Sequence, residues 1–479
     1  MPFDAQPMST TEPQLYAKRE AIHPQLVKGK YRVTKWAILF LTLGIYYGVP
    51  WIRWPRAPQE PTQAVLVDFA GGRLYFFGLE IWPDEFYLVT GLLVIAALAL
   101  FLVTALWGRL WCGFTCPQTV WTDLFIAVER MIEGDRNKRL RLAKAPWTAG
   151  KVAKKASKHS LWLLIAMATG GAWVLYFHDA PTVMKGLFTG EAPATSYIFV
   201  GILTFTTYSL AGLMREQVCT YMCPWPRIQG AMTDSQTFQV GYYHLRGEPR
   251  GKHKKGKDWS DLGDCIDCSG CVVACPMGID IRDGDQMECI NCGLCVDACD
   301  SVMAKMGFPK GLIAYGQDYD HVKEPSNRKR MPRFFRPRTI LYAAVLSAVT
   351  ALMAVGLLGR ETIEFNLERD RAVIATTLSD GSVRNAVTAR VLNKGSETHS
   401  YALRVEGPPS LSVGAVGREV DGGTIRFDIP GDRQMQLRIF LTLPGEKRPQ
   451  EDILFTLVDE TSGETVTREI AFVRDGGGR

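Results

Sequence analysis

Cys265-Ile-Asp-Cys268-Ser-Gly-Cys271-Val-Val-Ala-Cys275-Pro276 is followed, after twelve residues, by Cys289-Ile-Asn-Cys292-Gly-Leu-Cys295-Val-Asp-Ala-Cys299. One C-x-x-C-x-x-C-x-x-x-C run thus occurs twice. In the bacterial ferredoxin arrangement the first three thiolates of each run hold three irons of one 4Fe-4S cube, and the fourth crosses to the other cube. That rule assigns Cys265, Cys268, Cys271 and Cys299 to one cluster, and Cys289, Cys292, Cys295 and Cys275 to the other. Two residues between ligands let a tight loop wrap one corner of a cube, and Gly270, Gly278 and Gly293 are expected to lend backbone freedom there. Structural zinc uses Cys in pairs and has no use for a third Cys at this spacing in both halves, so zinc is set aside. Asp300 follows Cys299 where the first run has Pro276. A carboxylate there opposes the added negative charge of reduction and is expected to make that site more reducing.

Upstream, the other four cysteines stand in Trp111-Cys112-Gly-Phe-Thr-Cys116-Pro117 and Cys219-Thr-Tyr-Met-Cys223-Pro224. A spacing of four places both sulfurs of a pair on one side of a helical turn, where they can bind one soft metal or close a local disulfide. The proline after each pair disfavours helical geometry at the second Cys and would put the pair in a loop capping a helix. The spacing leaves both geometries open. Thiolates with the nearby thioethers of Met214 and Met222 suit Cu(I) better than a hard ion. The methionines alone read as adaptable packing at helix ends. The repeated Cys-Pro ending gives Cys112, Cys116, Cys219 and Cys223 a redox or metal role, as copper ligands, a further cluster or a disulfide.

The 479 residues average 47% apolar and 22% charged with a net charge of +6, values that suit a soluble protein. Their distribution does not. Residues 36–52, 86–107, 161–177, 197–214 and 339–358 contain no Asp, Glu, Lys or Arg, and helices of this length cross or nearly cross a bilayer. Five transmembrane helices are therefore expected. Lys and Arg number six in residues 1–35, three in 53–85, eleven in 108–160, one in 178–196 and eighteen in 215–338. Positive flanks stay in the cytoplasm. The expected organisation is a cytoplasmic tail at 1–35, transmembrane helices 1 to 4 with their loops at 36–214, and a cytoplasmic segment at 215–338 containing the ferredoxin domain 260–305. A fifth helix at 339–358 and an outer domain at 359–479 complete it. All twelve thiols then share one face of the membrane, in a reducing compartment that argues against a disulfide framework. The first span reads as a retained signal anchor. Basic runs at 136–139, 151–158 and 252–257 are topology determinants beside anionic lipid, and no nucleic-acid motif accompanies them.

After Arg360 the pattern changes to alternation, as in residues 386–392, 424–429, 436–443 and 465–473. About seven strands in about 115 residues suggest an all-β immunoglobulin-like sandwich, read as an interaction or scaffold module. His159, His178 and His244 lie outside the span interiors, so a haem held between helices by paired His is not expected. The chain has neither G-x-G-x-x-G nor G-x-x-x-x-G-K-[ST], which leaves nucleotide or flavin binding without support.

These motifs together resemble the FixG/RdxA/CcoG family of membrane polyferredoxins that accompany cbb-type cytochrome oxidases. The resemblance rests on residues 111–120, 129–139, 217–224, 246–251 and 299–303. Trp225-Pro226 and Ala314 depart from the family pattern, where Tyr-Ala and Arg are expected. The resemblance implies a bacterial inner-membrane protein with an outer domain in the periplasm. It also implies a cupric reductase that takes copper ions as substrate on the cytoplasmic side for oxidase assembly. Oxidase subunits or copper-delivery proteins would be its partners, alongside an unknown electron donor. Two readings compete with it: a quinol-linked electron-transfer subunit for another reductase, and a nonenzymatic assembly scaffold.

Overall fold

The computed structural model describes residues 21–56, 60–252, 261–317, 334–360, 363–369, 375–395, 397–431, 433–445 and 451–474. Most of the basic run 252–257 lies outside the described residues. The chain forms two compact units, Met1–Ala354 and Val355–Arg479.

In the first unit, α1 (Lys30–Gly48) leads to a small antiparallel sheet of β1 (Val65–Asp68), β2 (Arg73–Phe76) and β3 (Leu79–Ile81). α2 (Phe86–Trp107) follows, then α3 (Leu110–Phe114), α4 (Pro117–Glu133) and α5 (Arg136–Lys144). Next come α6 (Ala149–Val174), α7 (Ala180–Thr189) and α8 (Ala194–Thr207), the last widening into π-helical turns over Tyr208–Met214. Four helical stretches are long and apolar enough to cross a membrane: Lys30–Trp51, Pro83–Trp107, Ala194–Met214 and Pro337–Leu358. They cover four of the five uncharged runs. The fifth run, 161–177, is not among them. It fills the second half of α6, whose first half carries Lys151, Lys154, Lys155 and Lys158, and its apolar character is diluted by Thr169, Gly170 and Gly171. Small residues there serve close packing, since a Cβ on Gly170 would meet the Val200 carbonyl at 2.8 Å.

Part of the basic charge that the topology reading assigns to flanks is interior. Glu129 on α4 receives Arg139 and Arg215 at 2.9 Å each and Lys158 at 3.5 Å. Asp123, six residues earlier in α4 and also buried, takes Arg32 at 2.9 Å. Buried charges of this kind persist because they are paired. The pairs lock α1, α4, α5 and α6 together at the edge of the apolar bundle.

The remaining elements of this unit are α9 (Trp225–Met232), β4 (Gln239–Tyr242), α10 (His244–Gly247), α11 (Gly270–Ala274), α12 (Leu294–Met306), β5 (Ile313–Gly316) and all but the last turn of α13 (Pro337–Leu358). β4 and β5 pair antiparallel, with Val240 opposite Tyr315, and share one core with Ile281, Val296, Met303 and Leu312. The segment ahead of α1 straps this lobe to the helices. Gln25 N–H donates to Val273 O (2.8 Å), and Leu26 N–H to Asp135 Oδ1 (3.1 Å). The Asp297 carboxylate accepts the N–H groups of Tyr31 (3.3 Å) and Arg32 (2.8 Å) at the first turn of α1. That places a negative charge where a helix favours one.

The second unit is an immunoglobulin-like sandwich. Its strands are β6 (Ile363–Arg369), β7 (Thr376–Thr377), β8 (Val383–Asn393), β9 (His399–Glu406), β10 (Ser412–Ala415), β11 (Thr424–Ile429), β12 (Arg433–Leu443), β13 (Glu451–Asp459) and β14 (Thr465–Phe472). One sheet runs β10-β12-β8-β6 with β7 on β8, the other β11-β9-β13-β14. Alternate residues such as Val387, Ala389, Val391, Leu403 and Phe455 are fully buried between them. Nine described strands exceed the expected seven, because β7 and β10 are too short for alternation to reveal them.

Candidate metal centre

The two cysteine runs fold as two loops leading into α11 and α12. In each loop the residues flanking the middle cysteine take left-handed backbone: Asp267 (φ 51°) and Ser269 (φ 53°) around Cys268, Asn291 (φ 56°) and Gly293 (φ 73°) around Cys292. Asp, Asn and Gly reach that region at least cost, which explains much of the choice of residues. Gly270 was expected to provide this freedom, but Ser269 makes the reversal and Gly270 instead turns its N–H toward Cys268 Sγ (3.5 Å). Gly278 (φ 70°) is left-handed as well. Asn291 fixes the second loop from both sides, accepting from Val240 N–H and donating to Trp107 O at 2.8 Å each.

Two cavities lie against these loops. One, with about 340 Å3 free of protein atoms, is lined by Cys265, Cys268, Cys271 and Cys299, with Arg282 in its wall. The other, with about 370 Å3, is lined by Cys275, Cys289, Cys292 and Cys295, with Cys271 also touching it. Cys299 thus stands with three cysteines of the other run, and so does Cys275. Ile279, Ile281, Ile290 and Val240 keep the second cavity apolar. Burial pushes the thiols of Cys271, Cys289 and Cys299 up to about 12 and that of Cys275 up to about 11. Such sulfurs stay neutral unless a cation replaces their protons. Against that burial the backbone amides of Ile279, Met277 and Gly278 favour the charged Cys275 sulfur. Among the described residues no group of three or more His, Cys, Asp or Glu is arranged to hold a single metal ion. Four sulfurs spread around each mostly apolar void suit a cube of iron and sulfide.

Each upstream pair straddles a helix break. Cys112 lies in α3, whereas Cys116 is extended (φ −57°, ψ 128°) and precedes Pro117 at the start of α4. Cys219 lies in the π-helical turn Val218–Met222, whereas Cys223 is extended (φ −78°, ψ 123°) ahead of Pro224. Proline excludes the helical geometry at the second Cys, so the shared helix face allowed by the spacing does not form. The two pairs nonetheless converge. Burial pushes the Cys112 thiol up to about 12, and Cys116, Cys219 and Cys223 all add to the shift through their charge. Cys219 is pushed up to about 11 by burial, then by Cys116 and Cys223. Cys112 is buried and donates to Gln229 Oε1 (3.2 Å), while Cys223 is exposed. The quartet runs from interior to surface.

Cys112 also shares a packed core with Ile290, Cys292 and Leu294, joined by Trp225 and Met277. A Cβ on Gly113 would meet Ile290 O at 2.6 Å, so the α3 backbone lies directly on the second cysteine loop. Buried Arg109 donates to Cys289 O (3.3 Å) and Pro226 O (2.8 Å) and feels the charges of Cys289 and Cys112. The unexpected Trp225 and Pro226 are part of this junction. Sequence reasoning missed Arg109, Gly113, Gln229 and Arg282. In the sequence Arg109 is one loop cation among eleven, and Gly113 between the paired cysteines is the hint of a close approach.

Models of known families match three parts of the chain: a 4Fe-4S binding domain over 89–134, a 4Fe-4S dicluster domain over 214–318, and the "IG-like fold at C-terminal of FixG, putative oxidoreductase" over 353–475. The first of these ranges contains only Cys112 and Cys116. Protein RdxB of Cereibacter sphaeroides is 48% identical over 471 residues, covering 97% of this chain and 98% of that protein. The nitrogen fixation protein FixG of Rhizobium meliloti is 46% identical over 475 residues, covering 93% and 91%. Among solved structures, a FixG-related protein from Vibrio parahaemolyticus is 20% identical with a TM-score of 0.21, covering 24% of this chain and 98% of that one.

Proposed function

The chain belongs to the FixG/RdxA/CcoG family of membrane-associated 4Fe-4S electron-transfer proteins, and from that premise we propose that it reduces Cu(II) to Cu(I) at the cytoplasmic membrane face for assembly of a cbb-type cytochrome oxidase. Cys265, Cys268, Cys271 and Cys299 hold one cluster, and Cys289, Cys292, Cys295 and Cys275 the other. Bound there, the clusters supply one-electron transfer. Cys112, Cys116, Cys219 and Cys223 form the copper or redox-relay site, where each ion gains one electron, and because these thiols are not spaced to hold an ion in the structure they must draw together on it. Cys223 meets the ion at the surface, and the deeper sulfurs favour Cu(I) because thiolates are soft ligands. Arg282 and Arg109 offset negative charge beside the two cysteine-lined cavities, and Gln229 orients the Cys112 thiol. In this reading the α6 half-helix is the fifth span, the N-terminus and all twelve cysteines face the cytoplasm, and the sandwich is periplasmic, where it meets oxidase subunits or copper-delivery proteins.

The observation that carries the proposal is the shared core of Cys112, Ile290 and Cys292, which packs the buried member of the quartet against the second cysteine loop. The test is an anaerobic Cu(II) titration of the dithionite-reduced protein under a Cu(I)-selective chromogenic chelator, with iron and sulfide counted beforehand. Full iron content with Cu(I) formation is expected. Paired Cys112→Ala/Cys116→Ala or Cys219→Ala/Cys223→Ala changes should abolish Cu(I) formation while iron is retained. Undiminished copper turnover in both paired variants would defeat the proposal.

A further inference from the structure

Beside these sites lies a much larger space that copper reduction does not use. It is a wide open groove, whose roughly 2520 Å3 of non-protein space includes open solvent, between the first turns of α1, the end of α2, α3 and the β5 side of the dicluster lobe. Its lining is mixed in character. Ile38 and Val103 belong to the apolar stretches of α1 and α2, whereas the charged lining is Lys30 at the start of α1 with Arg246, Asp300 and Lys310 on the lobe. Other walls are aromatic, with Trp107 and Trp111 on the helix side and Phe238 and Tyr315 on the lobe side.

We infer that this groove binds a lipid-soluble quinol, which is the electron donor. The inference rests on the electron-transfer reading above and names the reductant that reading lacks. An occupant lying along Ile38 and Val103 must be apolar over most of its length. Aromatic walls favour a flat ring, which they can stack or meet edge-on. Lysine ammonium groups can donate to a quinone oxygen, and the Asp300 carboxylate can accept from a quinol hydroxyl. A phospholipid satisfies the apolar lining and the lysines but brings no ring to the aromatic walls.

Position supplies the rest of the argument. Tyr31, Val296 and Tyr315 line this groove and also belong to the core that contains Cys289, Cys295 and Cys299. Tyr315 fixes the second cysteine loop directly, donating its hydroxyl to Asn291 O (2.5 Å). Trp111 and Phe114 face the groove from α3, whose Cys112 and Gly113 lie against residues 290–292. A ring held here is separated from the cysteine sulfurs by side chains that touch both. In the reaction each quinol loses both hydroxyl hydrogens. Two protons pass to water at the charged lining, and two electrons leave one at a time through the cysteine-lined sites. One quinol is oxidised to quinone for every two Cu(II) reduced to Cu(I).

The experiment uses the full-length iron-loaded protein in nanodiscs of synthetic phosphatidylcholine without quinone. Decylubiquinone is titrated against tryptophan fluorescence, and decylubiquinol is added anaerobically while the iron-sulfur absorbance is followed without copper. Saturable quenching and bleaching of that absorbance are expected. Ile38→Trp and Val103→Trp, which crowd the apolar lining, should weaken decylubiquinone binding by about tenfold or more. Dithionite should still reduce these variants and drive Cu(I) formation to the wild-type extent. Absence of saturable quenching by the wild-type protein, or co-purified phospholipid that decylubiquinone cannot displace, would overturn the inference whether or not the variants fold. If dithionite-reduced protein yields no Cu(I) while decylubiquinone still binds and decylubiquinol still bleaches, the copper reading fails and the quinol site stands.

Discussion

Gly113→Ala tests the junction between the quartet and the second cysteine loop with the smallest possible perturbation. The added methyl would sit 2.6 Å from Ile290 O, 3.0 Å from Cys292 Cα and 3.1 Å from Cys292 N, all backbone atoms. Ordinary C···O contacts begin at about 3.3 Å, so α3 and the loop must separate by about 0.7 Å. No side-chain rotation can relieve this. Overpacking of that kind costs about 1–3 kcal/mol, and Ala in place of Gly within a helix returns about 0.5–1 kcal/mol. A net loss of about 1–2 kcal/mol is expected, concentrated where Cys289 and Cys292 stand. The assay is thermal loss of the iron-sulfur absorbance in purified protein, with iron counted before heating. Gly150→Ala, where a Cβ meets nothing within 4 Å, is the matched control and should be neutral or slightly stabilising. If Gly113→Ala retained iron and melted with or above the wild type, the backbone contact between α3 and the loop would be refuted.

Arg109→Gln removes a buried positive charge that feels both Cys289 and Cys112, so the reduction potential of the second site should fall by tens of millivolts. A redox titration showing an unchanged potential would contradict this. Glu129→Gln leaves Arg139, Arg215 and Lys158 facing a neutral group, and breaking a buried network in this way costs about 3–5 kcal/mol. It should show as a large drop in thermal stability. Burial alone would raise the Glu129 carboxyl, but Arg215, Arg139 and Lys158 outweigh it and hold it below the ordinary carboxylate range. A depressed folded value means stability that is complete above the unfolded pKa of about 4.3 and is lost as pH falls toward the folded one. Stability that stayed flat between pH 5 and 3 would argue against it. In the sandwich, buried Asp459 accepts from His399 (2.6 Å), Ser462 (2.6 Å) and Thr461 N–H (2.8 Å). Asp459→Ala should cost about 1–3 kcal/mol by leaving those donors unmatched, which differential scanning calorimetry can check.

What sequence reveals here follows the range of each interaction. The cysteine loops are local, and their spacing carries their chemistry. The apolar spans are legible because a bilayer demands length and uniformity, and the run 161–177 is the least uniform, with Thr169, Gly170 and Gly171 inside it. Proline's effect on Cys116 and Cys223 is also local, and it decides between the two geometries that the spacing permits. The approach of α3 to residues 290–292 joins positions nearly 180 apart, and nothing in either segment announces the other. Arg32, Lys35, Arg139 and Lys158 look like any other flanking cation in a charge count. Only their acidic partners, brought together by four helices, distinguish interior pairs from solvated flanks. In the sandwich the long strands announce themselves by alternation, while the two-residue β7 offers too few positions to form a pattern.

The strap ahead of α1 has a kinetic consequence. Gln25 ties to the first cysteine lobe, Leu26 to the helical bundle, and Asp297 clasps the start of α1 so closely that a Cβ on Gly29 would strike its carboxyl group at 2.3 Å. A lobe clasped this way cannot swing out to collect charge from a distant donor and return. Throughput should therefore be indifferent to solvent viscosity, as in a soldered wire and unlike a carrier on a flexible leash.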